Sequence, residues 1–112
     1  MSDWCVYFIR CGKKDKDPVK IGRTTDLETR LKDLQVGNPY ELQVLFTLPC
    51  ISLSHSMKLE RFLHRQLHHR YHIRGEWFSL DSSVSIPKLL HKFNTSHSHL
   101  FDVEVVKKKV DK

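Results

Sequence analysis

The 112-residue sequence has few cysteines and no long apolar run. Its three cysteines are an odd number and include no CxxC spacing, so nothing indicates a redox pair or a cysteine zinc site. This usage fits a reducing, intracellular setting, cytoplasmic or nuclear. No segment approaches the ~20 apolar residues of a membrane span, and residues 1–9 lack the layout of a secretory signal. We therefore expect neither a membrane protein nor a secreted one.

The composition is that of one small globular domain with an excess of positive charge. Hydrophobic residues make up 39% and charged residues 29% of the chain, which supports a modest core. Lys and Arg number 19 against 13 Asp and Glu, a formal net charge of 19 − 13 = +6. This charge is compatible with an anionic partner such as nucleic acid, although many small proteins carry a similar surplus for solubility.

The apolar periodicity predicts an α/β fold. Residues 4–10 are apolar on both faces and residues 18–22 alternate, so the two segments should pair as a hairpin. Thr25 and Glu28 have the spacing of a capping box, which predicts a helix over 26–35. The patterns that follow predict a half-buried strand over 41–49, a long helix over 54–71, a short strand at EWFSL, a third helix near Pro87, a polar linker over 95–99, a last strand over 101–105 and a frayed basic tail, KKKVDK.

Several polar side chains are predicted to share one surface. If the hairpin buries its other face, Tyr7 and Lys20 lie together on the opposite face. Arg30 lies at the border of the first helix's apolar stripe, from which it can lean over that face. Glu60 and His64 are four residues apart on the long helix. The ordinary alternatives are a strand tyrosine, solvated cations and an exposed pair of helix residues.

The order of these segments resembles the GIY-YIG nuclease superfamily. Residues 6–8 (VYF) and 20–22 (KIG) look like its two signature tripeptides, and the run KIGRTTDLETRL resembles its second strand and first helix. Together with LERFLH and the later GEWF, the run is similar to a compact KIGRT/GEWF branch found in phages, large DNA viruses and some cellular proteins. The resemblance covers about residues 4–80.

The resemblance implies a metal-dependent endonuclease that hydrolyses nucleic-acid phosphodiesters with Mg²⁺ or Mn²⁺. Glu60 takes the place of the metal-binding glutamate, and Arg30 that of the arginine that binds the scissile phosphate. Tyr7 would orient or deprotonate the attacking water, with Lys20 as the cation that favours the phenolate. His64 is a further catalytic candidate, and Arg23 a further phosphate contact. DNA is favoured over RNA as the partner.

The implied fold is a small, mainly antiparallel three-stranded core sheet flanked by helices, with C-terminal helix and strand additions. Residues 1–94 form the GIY-YIG-like domain, and residues 95–112 form a linker, a possible extra strand and a basic tail. No feature predicts the oligomeric state.

Two departures from the family pattern keep other functions open. Lys20 stands where the second tripeptide normally has tyrosine, and the asparagine that often follows the long helix has no clear counterpart. Glu76 is open as a second metal contact, whereas Trp77 and Phe78 are predicted to cover the core. The alternatives are therefore a catalytically inactive nucleic-acid-binding module, or a protein-interaction or inhibitor protein that uses its basic surface.

Overall fold

A computed structural model of the chain describes residues 3–97 and 108–109, in nine elements. In chain order these are β1 (Cys5–Cys11), β2 (Pro18–Thr24), α1 (Leu27–Gln35), β3 (Leu42–Pro49), α2 (Leu53–Tyr71), β4 (His72–Arg74), β5 (Trp77–Ser79), α3 (Ile86–His97) and β6 (Lys108–Lys109). The α/β class and the main helices and strands are confirmed. In the described part of the chain no helix is both long enough and apolar enough to cross a membrane.

The strands form one antiparallel sheet in the order β4-β5-β2-β1-β3-β6. The three predicted core strands are its centre, with β1 between β2 and β3. The sheet is larger than the predicted three-stranded core, because β5 and β4 extend it beyond β2. Gly75 makes the tight turn between these two short strands with a φ of +53°, a value that glycine adopts without a Cβ penalty.

The two faces of the sheet bury different clusters. Val6, Phe8, Val19 and Ile21 pack on one face in the larger core, which includes residues of α2 and α3. Tyr7 and Ile9 lie in a smaller cluster on the other face, against leucines of α1. We call these the α2 face and the α1 face. Because side chains alternate along a strand, Lys20 and Gly22 belong to the α1 face with Tyr7, as predicted.

The alternating apolar residues of β3 do not all share one face. The register between β1 and β3 shifts between Phe8 and Ile9. Phe46 therefore packs against the α2-face cluster, and Val44 packs against the α1-face cluster. An irregularity of one residue sends the following side chains to the opposite face, so the strand is buried on both sides.

The helices begin at side chains that accept their free N–H groups. Asp26, rather than the Thr25 of the predicted capping box, caps α1 by accepting from Thr29 N at 3.1 Å. Ser52 caps α2 by accepting from His55 N at 3.1 Å. These caps stabilise helix ends at which backbone donors lack partners. The bounds of α2 match its apolar stripe to within one residue.

The C-terminal prediction needs correction where the structure describes it. Helix α3 continues to His97, so Thr95 and the two residues after it are helical instead of linker. Lys108 and Lys109, predicted to be part of a frayed tail, form β6 and pair with Thr47 and Phe46. The strand predicted over 101–105 lies outside the described residues.

Candidate active site

The candidate site lies where β2 loses its neighbour β5. The pairing of the two strands runs from Pro18 to Lys20 and goes no further. At the next residue the Ile21 N–H donates to the Glu76 carbonyl at 3.0 Å, and the Ile21 carbonyl accepts from His64 Nε2 at 2.8 Å. These two bonds give partners to the Ile21 N–H and carbonyl groups at the edge of β2. They also fix Glu76 and His64 beside the end of the strand.

Tyr7 and Arg30 meet over Gly22 on the α1 face. Tyr7 is 1% exposed, and its phenol oxygen accepts a hydrogen bond from Arg30 Nε at 3.2 Å. This bond raises the pKa of Arg30, so the guanidinium stays charged. Gly22 is paired with Tyr7 across the strands, and a Cβ atom there would lie 2.5 Å from Tyr7 Oη. The glycine therefore provides the space that the phenol occupies.

Glu76 extends this arrangement towards β5. Its Oε1 atom lies 2.9 Å from Lys20 Nζ, and Lys20 in turn lies over the Trp77 ring at 5.5 Å. The same oxygen is 3.3 Å from the position that a Cβ atom of residue 22 would take. Tyr7 Oη and Glu76 Oε1 therefore flank the same point above Gly22, and they are less than about 6 Å apart, the sum of their distances from that point.

Glu60 reaches the site from α2, on the other side of the sheet. The side chain of Glu60 is 8% exposed. Arg23 Nη1 donates a short hydrogen bond to Glu60 Oε1, and His64 Nε2 lies 3.7 Å from Oε2. Arg23 follows Gly22 in β2 and so points to the α2 face, where Glu60 is held.

The two carboxyl groups lie next to each other at the sheet edge. Burial raises the pKa of Glu60, and the neighbouring charge of Glu76 adds to this effect. Burial also disfavours ionisation of Glu76, but hydrogen bonds from Lys20 and Glu60 hold the pKa of Glu76 below its ordinary value. A raised and a lowered pKa in neighbouring carboxyls are typical of a pair that shares one proton.

Five of the six residues named from the sequence form two groups, and the sixth, Lys20, binds Glu76. Arg30 contacts Tyr7 on the α1 face, and Arg23 and His64 contact Glu60 on the α2 face.

The detailed pairings differ from expectation. The cation beside the phenol of Tyr7 is Arg30, because Lys20 is bound to Glu76. His64 uses Nε2 as a donor to the backbone.

Glu76 joins the two groups, although the sequence left its role open. The signal available was its position in GEWF, in the turn between β4 and β5. Phe78 is buried in the core as predicted, whereas Trp77 lies partly exposed on the α1 face beside Lys20.

The chain was compared with known proteins and with protein families. No curated protein and no solved structure matches it. The T5orf172 domain matches residues 4–111. This domain is found in GIY-YIG or nuclease-like phage proteins, and the match indicates a nuclease-like or DNA-related module. The match covers almost the whole sequence, and the chain therefore belongs to the T5orf172 domain family.

Proposed function

We propose that the protein is a metal-dependent endonuclease of the GIY-YIG type. The observation that carries the proposal is the meeting of Tyr7, Arg30 and the Glu76 carboxyl over Gly22, with the Glu60 carboxyl next to Glu76. A phenol, a guanidinium and two carboxyls at one sheet edge are the groups that phosphodiester hydrolysis needs. The motifs KIGRT and GEWF contribute Arg23 and Glu76 to this cluster, which supports the assignment to the branch that carries both.

The carboxyl pair fits a Mg²⁺ or Mn²⁺ ion. Hard divalent cations prefer carboxylate oxygens, and Mg²⁺ keeps several waters, so one or two protein ligands suffice. Among the described residues no three His, Cys, Asp or Glu side chains form a group that could hold a metal ion. Glu60 would hold the ion, with Glu76 as the second ligand. When bound, it would supply positive charge that stabilises the transition state.

The cationic side chains bind and orient the substrate phosphate. Arg30 offers its guanidinium beside Tyr7, where it contacts the scissile phosphate. Arg23 exchanges its bond with Glu60 for a second phosphate contact. Tyr7 orients the attacking water with its phenol oxygen; the proton of that water passes to solvent, from which the leaving oxygen takes one. The water oxygen forms the new bond to phosphorus as the bond to the leaving oxygen breaks.

Lys20 and His64 act as positioning residues. Lys20 keeps the Glu76 carboxyl ionised and directed towards Gly22. The imidazole of His64 is fixed by its bond to Ile21 and by edge-to-face packing on Phe78 at 5.0 Å. This orientation keeps its N–H near Glu60 Oε2. His64 therefore holds the metal ligand in place.

A catalytically inactive nucleic-acid-binding module is the second candidate. It is favoured by the bond between Arg23 and Glu60, because a guanidinium on Oε1 competes with a metal ion for the same lone pairs. Such a protein would keep the cationic surface and bind nucleic acid without cleaving it.

Cleavage of labelled DNA and RNA by purified protein with Mg²⁺ or Mn²⁺ tests the proposal. We expect nicks with the wild type and none with Glu60→Ala. The matched control is Glu28→Ala, which removes an exposed carboxylate from α1. Equal cleavage by wild type and Glu60→Ala would refute the mechanism. Binding without cleavage at every metal concentration would establish the inactive module instead.

A further inference from the structure

We infer that the protein binds an unpaired stretch of nucleic acid in a groove next to the candidate active site, with Trp77 and Tyr40 as stacking platforms. The inference rests on the proposed function for the position of the scissile phosphate. It adds a substrate class, namely nucleic acid that is single-stranded beside the cleavage point.

The first half of the groove is continuous with the candidate site along β2. Gly22, Lys20 and Pro18 follow one another on the α1 face. Trp77 is paired with Lys20 and lies on the same face, because its neighbour Phe78 is buried in the opposite core. A groove of about 320 Å³ opens there, lined by Cys11, Pro18, Asn38, Ile73, Arg74 and Trp77.

This part of the surface is apolar and aromatic although it is open to solvent. Ile73 is 51% exposed, and the indole of Trp77 is partly exposed. Arg74 is paired with Trp77 across the strands and adds a positive charge at the rim. An aromatic ring beside cations is the arrangement that binds a nucleobase by stacking while the cations hold its phosphates.

The second half of the groove repeats the same chemistry. A neighbouring depression of about 460 Å³ shares Cys11 and Pro18 with the first. It is lined by Tyr40, which is 65% exposed, and by the exposed Lys13 and Lys14 of the β1–β2 turn.

Two carboxylates, Asp17 and Glu41, also line this depression. Asp17 is half-buried and accepts a hydrogen bond from the backbone N–H of Lys14 at 2.8 Å, whereas Lys13 and Lys14 are exposed and can contact a phosphate chain.

The length of the path limits where the unpaired bases lie. Four residues of extended strand separate Gly22 from Pro18, about 13 Å at ~3.3 Å per residue. Stacked nucleotides are spaced by ~3.4 Å, so the base on Trp77 lies within about four nucleotides of the scissile phosphate. A continuous duplex presents no free base face to Trp77 or Tyr40. The groove therefore selects flaps, overhangs, gaps or single strands.

Intrinsic fluorescence tests the groove without cleavage. The chain has two tryptophans, so a Trp4→Phe, Glu60→Gln protein carries Trp77 as its one indole and is titrated without metal. We expect oligothymidylate to quench Trp77 and a blunt hairpin duplex of equal length to leave it unchanged. Measured instead by the fluorescence anisotropy of a dye-labelled oligothymidylate, Tyr40→Ala and Trp77→Ala should each weaken binding about 5- to 150-fold, and Trp77→Phe should retain most of the affinity.

The control is Leu53→Ala, which truncates another exposed side chain that lines a separate groove on α2. Equal quenching by duplex and single strand, or unchanged affinity in both Tyr40→Ala and Trp77→Ala, would overturn the inference. So would quenching that depends on protein concentration alone, since a second copy would then fill the groove.

Cleavage assays keep this inference separate from the proposed function. If the wild type cleaves DNA but the fluorescence results are negative, the groove inference fails and the nuclease stands. If Trp77 is quenched by single strands but no substrate is cleaved, the groove stands and the nuclease fails.

Discussion

A methyl group added at Gly22 would collide with the phenol of Tyr7. The Cβ atom of Gly22→Ala would lie 2.5 Å from Tyr7 Oη, 2.8 Å from Tyr7 Cζ and 3.3 Å from Glu76 Oε1. Separations below 3 Å are not tolerated, so the ring or the strand must move. The ring is 1% exposed and packed against the leucines of α1, which leaves it little room.

The expected cost follows from this overlap. Overpacking a filled core lowers the free energy of unfolding by about 1–3 kcal/mol. For a domain of this size each kcal/mol corresponds to ~4 °C, so the melting temperature should fall by about 4–12 °C. Moving the phenol by ~1 Å would weaken its bond with Arg30 and lower cleavage by about 100-fold. The measurements are thermal unfolding and the cleavage rate at a temperature where the variant is folded.

Two further variants separate the steric argument from a general loss of stability. Gly37→Ala introduces a side chain at a φ of +83° with nothing within 4 Å of the new atom, so it should destabilise the fold and leave cleavage unchanged. Gly22→Ala combined with Tyr7→Phe removes one of the two closest contacts and should recover part of the stability but no activity. Wild-type cleavage by Gly22→Ala would refute the claim that Tyr7 must keep this position.

Three other perturbations test the charges of the site. Burial raises the pKa of Glu60, so the wild type loses stability as the pH rises through that pKa. The melting temperature of Glu60→Gln minus that of the wild type should therefore increase from about pH 4 to 8. A difference that does not change with pH contradicts this. Arg30→Lys removes the Nε–H group that donates to Tyr7, and it should lower the single-turnover cleavage rate about 100-fold with little change in melting temperature. Full activity would exclude a role of Arg30 in binding the phosphate. Lys20→Met removes the partner that lowers the pKa of Glu76. The pH–rate profile should therefore move to higher pH, and metal affinity should fall about 10- to 100-fold. An unchanged profile would exclude an effect of Lys20 on the ionisation of Glu76.

Much of the fold could be predicted because the apolar residues of long helices and strands recur with a regular period. The nineteen residues of α2 carry an apolar stripe over several turns, which placed its ends to within one residue. The three-residue strand β4 has no period to detect, and its pairing with β5 depends on the turn at Gly75. The shift in β3 was also invisible, because the sequence alternation continues through Val44 and Phe46 while the backbone register changes.

The candidate site could be predicted in part for a similar reason. The shared face of Tyr7 and Lys20 follows from strand alternation, and the position of Arg30 follows from helix geometry. The partners of Lys20 and Glu60 do not follow from either rule. They depend on how far β5 pairs with β2, which is a tertiary property decided by packing.

The end of that pairing explains how groups from both faces of a sheet can form one site. Tyr7 belongs to the α1 face and Glu60 approaches from the α2 face, so a complete sheet would separate them. They come together because β5 begins only at Trp77, and the preceding Glu76 turns its carbonyl to Ile21 and its carboxyl towards Gly22. Glu76 is thus the residue that the groups on the two faces share. Lys20 favours the ionised form of Glu76 by lowering its pKa, whereas Glu60, whose pKa is raised, retains a proton more readily. A cation held by Glu60 and Glu76 would compete with that proton, so metal binding would be coupled to proton release at this edge.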